Sequence, residues 1–137
     1  MRFVDTNVLL YAVSRDSDEK DKAERANEIL AARNVALSVQ VLQEFYVQAT
    51  RDSRADALTH EQAASLVESW LRFPVAEIST SVMLAALETR AQFGISYWDA
   101  AILEAARSLG CDIVLSEDLS RGRDYAGVTV ENPFVPS

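Results

Sequence analysis

The chain has 137 residues, 49% of them apolar, with 21 Asp and Glu against 13 Lys and Arg for a net charge of -8. A chain of this size can bury roughly two-thirds of its unfolded surface, so one domain with its own core is expected over residues 1–137. One cysteine, Cys111, and one histidine, His60, exclude a disulfide framework and any Cys- or His-based metal centre, so a metal would have to be held by oxygen. The acidic balance argues against a protein that coats duplex phosphate, although nearly all the basic residues are arginines suited to forked phosphate contacts.

In chain order, RFVD at Arg2–Asp5 reads as a strand. From about Asp18 to Arg33, Ala23, Ala26, Ile29 and Leu30 recur at helical spacing, and VALS at Val35–Ser38 is the second strand, followed by a helix carrying Glu44. Thr59 with Gln62 forms a capping-box signature for a helix closed by Pro74, ahead of a third strand, VAEIS, at Val75–Ser79. Ser81 is expected to open a helix that ends at Gly94, and Ser96 one that ends at Gly110. DIVLS at Asp112–Ser116 and VTVE at Val128–Glu131 complete five strands. Strands separated by helices pair in parallel with helices on both faces, an α/β three-layer sandwich. Every apolar run is shorter than the ~18 residues of a spanning helix, and Met1 leads straight into a strand, so a cytoplasmic location is expected.

Ligands of open parallel sheets lie beyond the carboxyl ends of the strands, where the strand order reverses. Asp5 directly follows the first strand and Asp118 shortly follows the fourth. Glu44 lies about one and a half turns into the helix after the second strand. The helix opened by Ser96 runs antiparallel to the strands, which puts its first turn, with Asp99, at the same edge. Two unit charges about 4 Å apart repel by roughly 4 kcal/mol at an effective dielectric near 20. Four converging carboxylates therefore require raised pKa values or a hard divalent cation, and all-oxygen ligation points to Mg²⁺ or Mn²⁺.

DTNVLLY at the start, Glu44 in LQEFY, SYWDAAI around Asp99 and LSEDLSRG around Asp118 together resemble the PIN-domain ribonucleases, especially the VapC-like toxins of toxin–antitoxin pairs. The resemblance spans essentially the whole chain. It implies a five-stranded parallel sheet in the order 3-2-1-4-5, with Asp5, Glu44, Asp99 and Asp118 as the metal-binding and catalytic acids. It also implies Mg²⁺- or Mn²⁺-dependent hydrolysis of RNA to 5′-phosphate and 3′-hydroxyl ends, a homodimer, and a small antitoxin that inserts a basic side chain near the acids. Many relatives carry a further acid two or three positions beyond the fourth. Here Asp118 is followed by Leu119, Ser120 and Arg121, and strand alternation turns Glu117 away from Asp118.

Each acid also has an ordinary reading: Asp5 as a helix N-cap, Asp99 in a capping box with Ser96, Asp118 in an Asx turn, Glu44 on a solvated helix face. Asn7 is expected to support Asp5, and Ser116 to touch Asp118 or a bound water. Trp98, Arg121 and Arg123 are candidate RNA contacts, as are Tyr97, Arg51 and Arg54; His60 and Cys111 read as structural. An aspartyl phosphatase is disfavoured because Asn7 stands where it needs a second Asp, and a receiver domain because no lysine follows Lys22. The non-enzymatic alternative is a PIN-fold module that binds RNA or protein with weak or no catalysis.

Overall fold

The structure, a computed structural model, describes residues 1–119 and 122–135. In chain order these form β1 (Arg2–Val4), α1 (Thr6–Ala12), a 3-10 turn (Ser17–Glu19), α2 (Lys20–Ala31), β2 (Val35–Ser38), α3 (Val39–Ala49) and α4 (His60–Trp70). There follow β3 (Val75–Ala76), α5 (Thr80–Phe93), α6 (Tyr97–Ser108), β4 (Ile113–Leu115), β5 (Asp124–Tyr125) and β6 (Val128–Glu131).

The strands form one sheet in the order β3-β2-β1-β4-β6-β5. Pairing is parallel from β3 through to β6. β2, which is buried at every position, and the apolar β4 flank β1 as central parallel strands do. The chain moves outward one way from β1 to β2 to β3 and then returns past β1 to β4. With right-handed crossovers, α1 to α4 therefore cover one face and α5 and α6 the other. α6 lies directly on the sheet against β2, β3, β4 and β6, and α5 packs on α6. Phe3, Leu9, Phe45, Leu103 and Val114 are fully buried between these layers.

Five parallel strands fall where the sequence places them; β5 is an addition. It pairs antiparallel with β6 through Tyr125 and Val128, so only Ala126 and Gly127 form the turn, at φ +53° and +95°. Two positive φ values in a two-residue hairpin loop define a tight turn that normally carries Asn-Gly or Asp-Gly. Ala126 supplies no such signal. The hairpin is instead pinned by Arg107 of α6, which donates to the carbonyls of Ala126 and Tyr125 at 2.7 and 2.8 Å.

Helix boundaries differ in two places. α4 ends at Trp70, four residues before Pro74, and the chain turns through Leu71–Phe73. The cap of α5 is Ser79, not Ser81: the Ser79 hydroxyl accepts from the Val82 N–H at 3.2 Å, and Ser81 lies inside the helix. β3 is two residues long rather than five, so the chain leaves the sheet at Ala76 and the extended Ser79 is free to cap the helix. Ser79→Ala is expected to cost about 1 kcal/mol in urea denaturation and Ser81→Ala less than about 0.5 kcal/mol; equal costs would contradict this boundary.

Candidate active site

β1 and β4 lie side by side, and from them the chain winds outward in opposite directions, so a crevice opens beyond their carboxyl ends. Asp5 leaves β1 there as the N-cap of α1, its Oδ1 accepting from the Thr6 N–H at 2.7 Å. Its other oxygen accepts from the hydroxyl of Ser116, just past β4, at 2.8 Å. Asp5 is only 8% exposed. Burial pushes its carboxyl up to about 6, against the lowering effect of the Ser116 and Thr6 hydrogen bonds and with smaller upward contributions from the Glu44 and Asp118 charges.

The other three acids arrive from separate elements. Glu44 sits one turn after Gln40 on α3, which begins where Ser38 caps it by accepting from the Val41 N–H. The Glu44 carboxylate accepts from the Thr6 hydroxyl at 2.8 Å and from the Gln40 amide at 2.9 Å. Asp99 lies in the first turn of α6, its N–H donating to the Ser96 cap at 3.1 Å, and among the described residues no hydrogen bond reaches its carboxylate. Asp118 follows β4, and its Oδ2 accepts from the Asn7 amide at 3.0 Å. Asp5 is thus an N-cap through its own carboxylate, whereas Asp99 makes only the backbone half of a capping box with Ser96; both placements set these residues at the crevice.

All four acids line a single cavity of about 140 Å³, together with Thr6, Asn7, Leu10, Gln40, Gln48, Trp98 and Ile102. This is small beside the about 300–1,000 Å³ of typical small-molecule pockets, so it suits an ion and the edge of a phosphate rather than a whole nucleotide. Among the described lining residues there is no lysine or arginine. The carboxylate donors are oxygen and strongly anionic, with no counter-charge among the described lining residues, which is the chemistry a hard divalent cation takes. Among the described residues, however, no three of these side chains close on one point as direct metal ligands. Glu44 and Asp118 are instead drawn toward Thr6, Gln40 and Asn7.

Asn7 reaches Asp118 and the Glu117 backbone, not Asp5; the residue that holds Asp5 is Ser116. The Ser116 hydroxyl also accepts from the N–H groups of Asp118 and Leu119 at 3.1 and 3.2 Å, which ties both aspartates to one turn. Thr6 and Gln40 escaped the sequence reading, although the four-residue spacing of Gln40 and Glu44 on a helix is a legible signal. Glu117 points out of the cavity to Tyr11 and Lys22.

Trp98 is 64% exposed and lines the cavity mouth, while Tyr97 packs on the small cluster of Ala86, Ala100 and Ala101. Arg123 does not line the cavity: its guanidinium lies over the rings of Phe93 and Tyr125 and donates to the Phe93 carbonyl. Arg121 lies outside the described residues. Arg54 pairs with Asp56 at 2.9 Å, Arg51 is exposed and away from the cavity lining, His60 bonds the Tyr46 hydroxyl, and Cys111 is buried.

The family model of the PIN domain matches residues 2–121, and the chain belongs to that family. In fold it is similar to a toxin–antitoxin complex from Klebsiella pneumoniae, with a TM-score of 0.70 at 20% identity over 97% of this chain and 98% of that one. It is also similar to the FitAB complex bound to a DNA fragment, with a TM-score of 0.73 at 18% identity over 100% and 98% of the two chains. A third likeness is to VapC20 of Mycobacterium tuberculosis, described as a toxin that cleaves the sarcin–ricin loop, with a TM-score of 0.66 at 18% identity over 86% and 90%. No curated protein matches the chain.

A carboxyl with a raised folded-state pKa favours the folded state below its unfolded value of 3.8, and that advantage is lost as the pH rises through about 6. Asp5→Asn is therefore expected to stabilise the metal-free protein at pH 8 by up to about 3 kcal/mol. The gain should vanish near pH 4, as read by urea denaturation in EDTA at the two pH values.

Proposed function

We propose that this chain is a Mg²⁺- or Mn²⁺-dependent endoribonuclease and the toxin of a type II toxin–antitoxin pair. The observation that carries the reading is the meeting of Asp5, Glu44, Asp99 and Asp118, from four separate elements, in one cavity whose described lining has no basic side chain. Family membership supports it, as does the likeness to a toxin–antitoxin complex and to a toxin that cleaves the sarcin–ricin loop.

Asp5, Asp99 and Asp118 would hold the cation, directly or through waters. Bound there, it supplies charge neutralisation and Lewis acidity toward a phosphate oxygen. Ser116 keeps Asp5 oriented and Asn7 keeps Asp118 oriented, as outer hydrogen bonds do for ligating carboxylates. Glu44, fixed by Thr6 and Gln40, orients the attacking water and takes its proton at a carboxylate oxygen. In-line attack of that oxygen on phosphorus breaks the bond from phosphorus to the 3′-oxygen, which takes a proton from solvent, leaving a 5′-phosphate and a 3′-hydroxyl. Trp98 at the mouth offers a face on which an unpaired base stacks. A homodimer and a small antitoxin complete the proposal. An antitoxin arginine placed against these carboxylates would form a charge-assisted plug.

A second reading, a PIN-fold module that binds RNA or protein without catalysis, draws on the hydrogen bonds that hold Glu44 and Asp118 away from a common point. Incubation with a panel of transfer and ribosomal RNAs separates the two. Cleavage is expected with Mg²⁺ or Mn²⁺ and to stop in EDTA; Asp5→Asn and Asp99→Asn should abolish it with folding intact. Glu44→Gln should slow cleavage by on the order of 10²–10⁴-fold. Undiminished cleavage in EDTA would overturn the enzymatic reading as stated.

A further inference from the structure

Glu117 lies between Ser116 and Asp118, both tied to the acidic cavity, yet its own side chain turns away. Its Oε1 accepts from the Tyr11 hydroxyl at 2.5 Å and its Oε2 from the Lys22 ammonium at 2.6 Å. Lys22 also donates to the Tyr11 oxygen at 3.2 Å and stands 4.8 Å from the centre of its ring. Phe134 packs edge-on against that ring, with centroids 4.8 Å apart. None of Tyr11, Lys22 and Glu117 lines the cavity.

The cluster is mechanically coupled to the cavity through α1. Asn7 and Tyr11 are four residues apart and so share one face of that helix. Asn7 accepts from the Glu117 N–H at 3.4 Å and donates to the Asp118 carboxylate at 3.0 Å, while Tyr11 takes the Glu117 side chain. One helix face thus grips two consecutive residues at three points, and Lys22 adds a fourth from α2. Without Lys22 and Tyr11, a half-buried Glu117 carboxylate would lose both its partners. It would then draw on the Asn7 amide that orients Asp118, because an ionised group held in a partly dry site seeks any donor within reach.

We infer that Tyr11, Lys22 and Glu117 form a positioning device for Asp118, setting how tightly the cavity holds a divalent cation although none of the three touches it. The inference rests on the metal-dependent reading above. It assigns Glu117 a role opposite to that of an extra metal ligand: pinned outward, it fixes the turn that presents its neighbour.

Calorimetric titration of the full chain with Mn²⁺ tests it without reference to catalysis. Lys22→Met is expected to weaken Mn²⁺ binding by about tenfold and Tyr11→Phe by less, with Lys22→Arg restoring most of the affinity. In a Glu117→Gln background, Lys22→Met should cost nothing further, because the charge that needed neutralising is gone. A general loss of stability would persist in that double variant, so thermal melts alongside separate positioning from unfolding. Unchanged Mn²⁺ affinity in Lys22→Met, with normal binding by the unaltered chain, would overturn this inference and leave the nuclease reading standing. Failure of the unaltered chain to bind Mn²⁺ would overturn both.

Discussion

The structure turns on one buried carboxylate. Asp5 sits where the sheet reverses its winding, and transfer of its charge out of water is offset only in part by the Ser116 hydroxyl and the Thr6 N–H. With no described lysine or arginine in the cavity wall, the fold tolerates a charge it does not neutralise. Strain of this kind is characteristic of sites kept for function rather than stability, since an apolar or neutral residue would serve the core better.

The remaining acids are delivered by ordinary devices put to a second use. A strand that ends at a cap, a helix that starts at a serine and a turn closed by a hydroxyl would each occur in any α/β protein. Here the cap is Asp5 itself, the helix begun at Ser96 carries Asp99 in its first turn, and the turn closed by Ser116 presents Asp118. The neutral donors Thr6, Gln40 and Asn7 hold Glu44 and Asp118 in defined orientations. Each such bond takes one lone pair of a carboxylate and leaves it others.

The four acids and the parallel strands were legible because each rests on local pattern: continuous apolar runs for buried strands, serine caps and terminal glycines for helices. Partners across the chain were not. Asn7 meets residues 110 and 111 positions away, and nothing around it distinguishes service to Asp118 from service to Asp5. Ser79 and Ser81 are equally good caps, and the choice between them falls to the length of β3. The edge hairpin was hidden because Ala126 adopts a positive φ without the usual turn residue, held by Arg107 from a distant helix. Arg123 had a close aromatic pair to lie on, a tertiary fact with no local signature.

That same hairpin bears on how molecules of this kind meet. At one margin the sheet ends in two-residue β5, and at the other in two-residue β3 directly after Pro74. Margins so short offer few open backbone groups to a foreign strand, which guards against sheet extension and fibril growth. Most of the large apolar side chains left facing solvent among the described residues, including Val47, Leu71, Met83, Leu84 and Leu87, are helical or next to a helix end; Met1 and Val135 are not. Any association of this chain with another protein would therefore favour packing between helices over the addition of a strand.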